Sequence, residues 1–288
     1  MTPEPKASEL ASSQLANAPE PKRVSIAIVS LNRAESLRRS LELLGDAHHI
    51  VVVDNGSQDG SAAVGDPYPG VRVMRLPKKF GLTKALKIGL RAAESEYLLC
   101  LLDDTLISGA AVKQLADYLE THPEVGAVCP LLMDAQGNPA PQVQALPASA
   151  EPQPALKAAT GGDEITAECV SGAAIMFRGF FLRAIRQIDE CYGDYGSNIE
   201  VCAQMKRAGK KIVILRNVTA VHGDKPSSMS ASDLEGDRAA ATAAFLSKHH
   251  GFMAGAMYRL KAGLGGLLRF QFAVAGGAFS GTKIDGTS

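Results

Sequence analysis

Polar residues capable of chemistry sit in this chain of 288 residues where apolar runs stop. Asn32-Arg33 follow VSIAIVSL (24–31), Asp54-Asn55-Gly56-Ser57 close the run beginning at His49, and Asp103-Asp104-Thr105 follow YLLCLL (97–102). Two adjacent carboxylates at a buried strand end repel each other and are costly unless a cation joins them. Hard oxygen donors suit Mg²⁺ or Mn²⁺, ions that typically bridge protein carboxylates to substrate phosphates. A solvated Asp-Asp turn fits the same spacing, and spacing alone leaves both readings open.

Positioning such groups needs alternating strands and helices, and the pattern supplies them. Strands are expected over 24–31, 49–54, 71–76 and 97–102, with helical spacing at Leu37, Leu41 and Leu44 and at Leu82, Leu86 and Leu90. Near-continuous apolar strands between amphipathic helices predict an α/β fold whose mostly parallel sheet is covered on both faces. In such sheets ligands bind at the carboxyl ends of the strands, where these polar residues collect. Farther along, a helix over 109–121, strands over 125–130, 167–177 and 211–217, and a helix from about Ser197 are expected. The Pro/Ala/Gln-rich stretch 134–162 reads as a long flexible loop.

Several function classes are excluded. Lys+Arg and Asp+Glu are both 30, and Trp is absent, so neither bulk charge nor aromatic platforms predict a nucleic-acid partner. Five scattered cysteines without C-x-x-C spacing give no disulfide framework and fit a reducing compartment. No dinucleotide fingerprint, P-loop or G-x-S-x-G elbow follows a strand. SLNRAES lacks the glycine-rich loop of a sugar nucleotidyltransferase.

VSIAIVSLNRAESLRRSLELL, VVVDNGSQDGS and FGLTKALKIGLRAAESEYLLCLLDDT resemble the family 2 inverting glycosyltransferases of GT-A fold. HPEVGAVCPLL, VSGAAIMFR, IDECYGDYGSNIEVCAQMKRAGKK and TAVHGDKPSS continue the resemblance in order, over roughly 23–230, with the bacterial rhamnosyltransferase type most similar. The resemblance implies a GT-A-like single domain that moves a sugar from a nucleotide-diphosphate donor, of UDP or dTDP type, to an acceptor hydroxyl with inversion. The acceptor would be a glycan or a lipid-linked glycan of surface polysaccharide or glycolipid synthesis. By position, Asn32 and Arg33 would border the nucleoside, Asp54 would bond the base, and Asp103 would lie near ribose and metal. Asn55 and Lys84 are counted with the nucleotide-sugar contacts. Asp104 would bind Mg²⁺ or Mn²⁺, with His222 near the ion or diphosphate; a strand-end His capping backbone is the alternative for His222.

This sequence also departs from the family. Lys79 and Lys87 stand where Asn is usual and would either offset diphosphate charge or form a solvated helix face. Ser197-Asn198 occupy the place of the acidic pair that supplies the general base, and an amide takes no proton at neutral pH. Ser197-x-x-Glu200 reads instead as a capping box opening a helix. Asp194, in the preceding loop, is the candidate substitute base. A non-catalytic nucleotide-sugar-binding or scaffold homologue is therefore the alternative function.

Residues 1–22 read as a disordered leader, 23–235 as the catalytic domain, and 236–288 as a helical extension. No run reaches the roughly 20 apolar residues of a spanning helix, so a cytoplasmic chain is expected. Met253, Met257, Leu260, Leu264 and Leu267 recur at helical spacing beside Arg259, Lys261 and Arg269. That stripe fits either peripheral contact with the inner face of the membrane or packing against the domain.

Overall fold

The computed structural model describes residues 22–149, 156–184, 188–223 and 231–281; the expected leader falls outside them. In chain order the elements are β1 (Val24–Ser30), α1 (Ala34–Leu44), β2 (His49–Asp54), β3 (Val71–Arg75), α2 (Leu82–Arg91), β4 (Tyr97–Leu102), β5 (Thr105–Leu106), α3 (Gly109–Thr121) and β6 (Val125–Met133). They continue with β7 (Pro141–Gln144), β8 (Lys157–Ala158), β9 (Glu164–Ala167), β10 (Cys169–Val170), β11 (Ala174–Arg178), α4 (Gly179–Ala184), α5 (Ser197–Arg207) and β12 (Lys211–His222). Three helices close the described chain: α6 (Ala231–His250), α7 (Phe252–Leu268) and α8 (Phe272–Ser280).

The main sheet has the order β3-β2-β1-β4-β11-β6-β12-β5, with β9 also on β12. β1 to β4 are parallel; β11 runs antiparallel between β4 and β6, and β6 and β12 are parallel. Alternate residues of a strand face opposite sides, so β1 feeds two cores. Ile26 and Ile28 pack with Leu37 and Leu41 of α1 and Leu115 of α3. Ala27 and Val29 pack with Leu86 and Leu90 of α2 and, farther along that face, Ile199 of α5 and Phe245 of α6. The α/β architecture is the expected one.

Three expectations change. The loop 134–162 contains β7 and β8, which join β10 in a small second sheet of order β10-β7-β8. The strand expected over 167–177 is broken, because Cys169-Val170 pair with β7 while Ala174–Arg178 enter the main sheet. The boundary expected at 235–236 falls inside α6, whose Ala241 and Phe245 belong to the domain core.

Candidate active site

From β1 the chain passes to β2 and β3 on one side, whereas β4 lies on the other. At that reversal the loops leaving β1 and β4 diverge and open a crevice at the strands' carboxyl ends. A cavity of about 310 Å³ lies there, and its walls include Arg33, Asn55, Lys79, Asp103, Asp104, Asp194 and His222. A larger cleft of about 860 Å³ sits at the opposite edge beside Lys22, His49 and Arg91, away from the strand-end carboxylates.

Asp103 is 9% exposed, and its Oδ2 accepts the Leu31 N–H at 3.1 Å. Arg33 Nε stands 3.6 Å from Oδ1. Burial pushes the Asp103 carboxyl up to about 6, against the pull of the Leu31 N–H and the Arg33 charge. Burial also raises Asp104, but the hydrogen bond and charge of His222 outweigh it and hold this carboxyl below its ordinary value. His222 Nδ1 lies 3.2 Å from Asp104 Oδ1 and 3.0 Å from Thr105 Oγ1. The β12–β5 register sets this meeting by pairing His222 with Thr105. Adjacent carboxyl groups are thereby driven apart in acidity, Asp103 towards neutrality and Asp104 towards the anion.

No cluster of three or more His, Cys, Asp or Glu side chains that could enclose a metal occurs among the described residues. Mg²⁺ and Mn²⁺ sites completed by phosphate oxygens and water need only one or two protein carboxylates. Asp104 with His222 fits that requirement, and a dedicated all-protein cage does not.

Asp54, at the end of β2, is 3% exposed, and its Oδ1 has no hydrogen-bond partner among the described residues. A buried acceptor left unpaired is costly, so it calls for a donor from elsewhere. Asn55 is spent differently: its Nδ2 donates to the Phe80 carbonyl and its Oδ1 accepts the Phe80 N–H, both at 2.8 Å. It clamps the loop that carries Lys79. Gly56 helps, with φ +80° and a backbone so close to Lys78 that a Cβ would come within 2.6 Å of its carbonyl carbon. Asn32 has φ +53°, accepts the Gln58 N–H at 2.8 Å and donates its own N–H to Ser57 Oγ, so it shapes the same rim.

Lys84 lies over the Phe80 ring, its Nζ 4.3 Å from the centroid. Of the two readings open for Lys87, diphosphate contact or a solvated helix face, the structure shows neither: Lys87 forms a 2.9 Å ion pair with Glu190. Lys79 does line the cavity.

At the position where the resemblance implies a base, Asn198 Nδ2 donates to the Val170 carbonyl at 2.7 Å, tying α5 to β10. The capping box does not form. Gly196 is the N-cap, at φ +99°, where a Cβ would press within 2.7 Å of the Tyr192 ring, and Ser197 is the first helical residue. Glu200, 3% exposed, turns away from the helix start. It meets Tyr192 Oη at 2.9 Å, Gln204 Nε2 at 2.8 Å, Lys248 Nζ at 3.0 Å and His249 Nε2 at 2.7 Å. Asp194 faces the cavity while one oxygen accepts the Leu82 N–H at the start of α2. The Glu200 contacts with α6 and the cavity position of Leu234 join segments far apart in sequence, and no local spacing signals them.

The model of the family described as glycosyl transferase family 2 matches residues 25–183, more than half of the chain. This chain belongs to that family. The match spans β1 through most of α4, hence Arg33, Asp54, Asp103 and Asp104, and ends before Asp194, Asn198 and His222. No curated protein sequence matches this glycosyltransferase. Solved structures share its fold at low identity. A mannosyltransferase from Pyrobaculum calidifontis in complex with GDP-Man and Mn²⁺ has TM-score 0.57 and 16% identity, covering 94% of this chain and 79% of that one. S. aureus TarS 1-349 in complex with UDP-GlcNAc has TM-score 0.55 and 16% identity, over 78% and 66%. GalNAc-T7 with UDP, GalNAc and Mn²⁺ has TM-score 0.55 and 16% identity, over 70% of this chain but only 44% of that one. At these identities the likeness establishes the GT-A fold.

Proposed function

We propose that this family 2 enzyme transfers a sugar, with inversion, from a nucleotide-diphosphate donor to the hydroxyl of a glycan or lipid-linked acceptor in surface polysaccharide or glycolipid synthesis. A rhamnosyltransferase-type reaction is the finer assignment, from the sequence resemblance. The observation that carries the proposal is the crevice itself: Arg33, Lys79, Asp103, Asp104 and His222 converge at the strand-order reversal. The unpaired Asp54 acceptor suits the ring N–H of uracil or thymine, so the donor is UDP- or dTDP-linked. The nucleotide donors in the similar structures support that class of ligand.

Arg33 and Lys79 supply positive charge where the diphosphate departs, and Asp103 stands beside the ribose. Asp104 and His222 would hold Mg²⁺ or Mn²⁺, which when bound offsets diphosphate charge as a Lewis acid. In a single displacement the acceptor oxygen forms its bond to the anomeric carbon as the sugar–diphosphate bond breaks, and the electron pair leaves with the nucleotide. The acceptor proton needs a base. Asn198 cannot serve, Glu200 is enclosed by four donors, and Asp103 and Asp104 are taken by the ribose and the metal, which leaves Asp194 among the carboxylates facing the cavity.

Calorimetry with UDP or dTDP and Mn²⁺ tests the site. Asp104→Ala should weaken binding at least about tenfold, roughly 1.4 kcal/mol. Equal affinity with and without metal would refute the metal-assisted reading. The amide at Asn198 also favours a second reading, a donor-binding scaffold that does not turn over. Donor consumption with a matched acceptor separates the two.

A further inference from the structure

The outer face of α7 and α8 inverts the usual pattern of a water-soluble helix. Ten of the twelve large apolar side chains exposed among the described residues lie between Phe252 and Phe279. On α7, Met253, Met257, Leu260, Leu264 and Leu267 form a stripe on that face, and Leu268 is 82% exposed. Glycines, with Tyr258 among them, occupy the packed side of α7 instead.

A Cβ at Gly255 would come within 2.8 Å of the Ala243 carbonyl, one at Gly266 within 2.9 Å of the Ala275 nitrogen, and one at Gly277 within 2.1 Å of the Gly236 carbonyl. Helices that approach through small residues and turn large apolar groups outward are the arrangement used in lipid, where no hydrophobic drive holds helices together. In water the same outward stripe leaves apolar area unburied. No described helix is long and apolar enough to cross a membrane, so the face suits a place within the interfacial plane.

Charge points to the same occupant. From Arg238 through Ile284 the sequence contains no Asp or Glu, whereas Arg259, Lys261 and Arg269 are positive. Lys261 and Arg269 also line a cavity of about 310 Å³ with Arg238 and Glu235, between the three helices, so three cations face one carboxylate there. An acid-free, cationic segment flanking an apolar face is complementary to anionic lipid headgroups. We propose that the α7–α8 face is a membrane-docking surface for anionic lipid, inserted in the interface plane. This goes beyond sugar transfer and does not depend on it. It places the crevice beside a bilayer, because Leu234 near the start of α6 lines the crevice and Arg238, one turn on, lines the cavity shared with Lys261 and Arg269.

The test is flotation of the full chain with vesicles of phosphatidylcholine alone or mixed with phosphatidylglycerol. Binding to the mixed vesicles should exceed binding to the neutral ones by at least about tenfold and fall in high salt. Leu260→Glu with Leu264→Glu, both on exposed positions, should abolish it while UDP or dTDP affinity is kept; that retained affinity shows a folded protein and separates this inference from the donor-site reading. Absence of flotation with both vesicles overturns the proposal. So does a wild-type dimer in light scattering that the double variant dissolves, since the face then belongs to a second copy.

Discussion

Glu200→Ala offers a quantitative test of how α5 is held. As a helix cap Glu200 would be worth about 1 kcal/mol, in the range of 0.5–2 for capping side chains. As a buried anion it answers to four donors, and two of them, Lys248 and His249, come from α6. Removing one partner of a buried ionic network costs about 3–5 kcal/mol, because the remaining charges and donors stay desolvated. Urea unfolding at neutral pH, with the slope m checked for constancy, distinguishes these magnitudes.

The acid limb gives an independent reading of the same carboxylate. Burial pushes the Glu200 carboxyl up, yet the bonds from His249, Lys248, Gln204 and Tyr192 outweigh burial and hold it below its ordinary value. A group depressed by folding contributes stability above its unfolded pKa and loses it as pH falls through the folded value. The gap between wild type and Glu200→Gln should therefore shrink on acidification from about pH 5 downward. A cost near 1 kcal/mol for Glu200→Ala together with a pH-independent gap would refute the bridging role and restore the cap.

Ser197→Glu with Asn198→Asp should raise sugar transfer at least about tenfold if the missing base limits the rate, since general-base assistance is typically worth about 10²–10⁴. Asp194→Asn in the otherwise native chain should abolish whatever transfer wild type shows; an unchanged rate in a donor-consumption assay dismisses Asp194 as the substitute. Asn55→Ala deletes the two bonds that clamp Phe80 and should cost about 1–3 kcal/mol in thermal or urea unfolding, with weaker nucleotide affinity as the Lys79 loop loosens.

The α/β alternation and the polar groups at the strand ends are legible in the order of residues alone. Apolar runs such as HIVVV bury on both faces whatever surrounds them, and polar residues such as Asp103-Asp104 stop them wherever the strand leaves the sheet. Residue type alone likewise decides that Asn198, where the resemblance implies an acidic pair, cannot accept a proton. Which of those groups meet depends on contacts between distant segments. The β12–β5 register, not any spacing, sets His222 against Asp104 across 118 positions. Asn55 was legible as a strand-end polar residue, but its commitment to Phe80 depends on the path of a loop 25 residues away. Ser197-x-x-Glu200 matches a cap in one dimension, and the fold overrode it. Gly196 could adopt φ +99° against the Tyr192 ring, and α6 brought a lysine and a histidine within reach of a carboxylate that burial had already deprived of water.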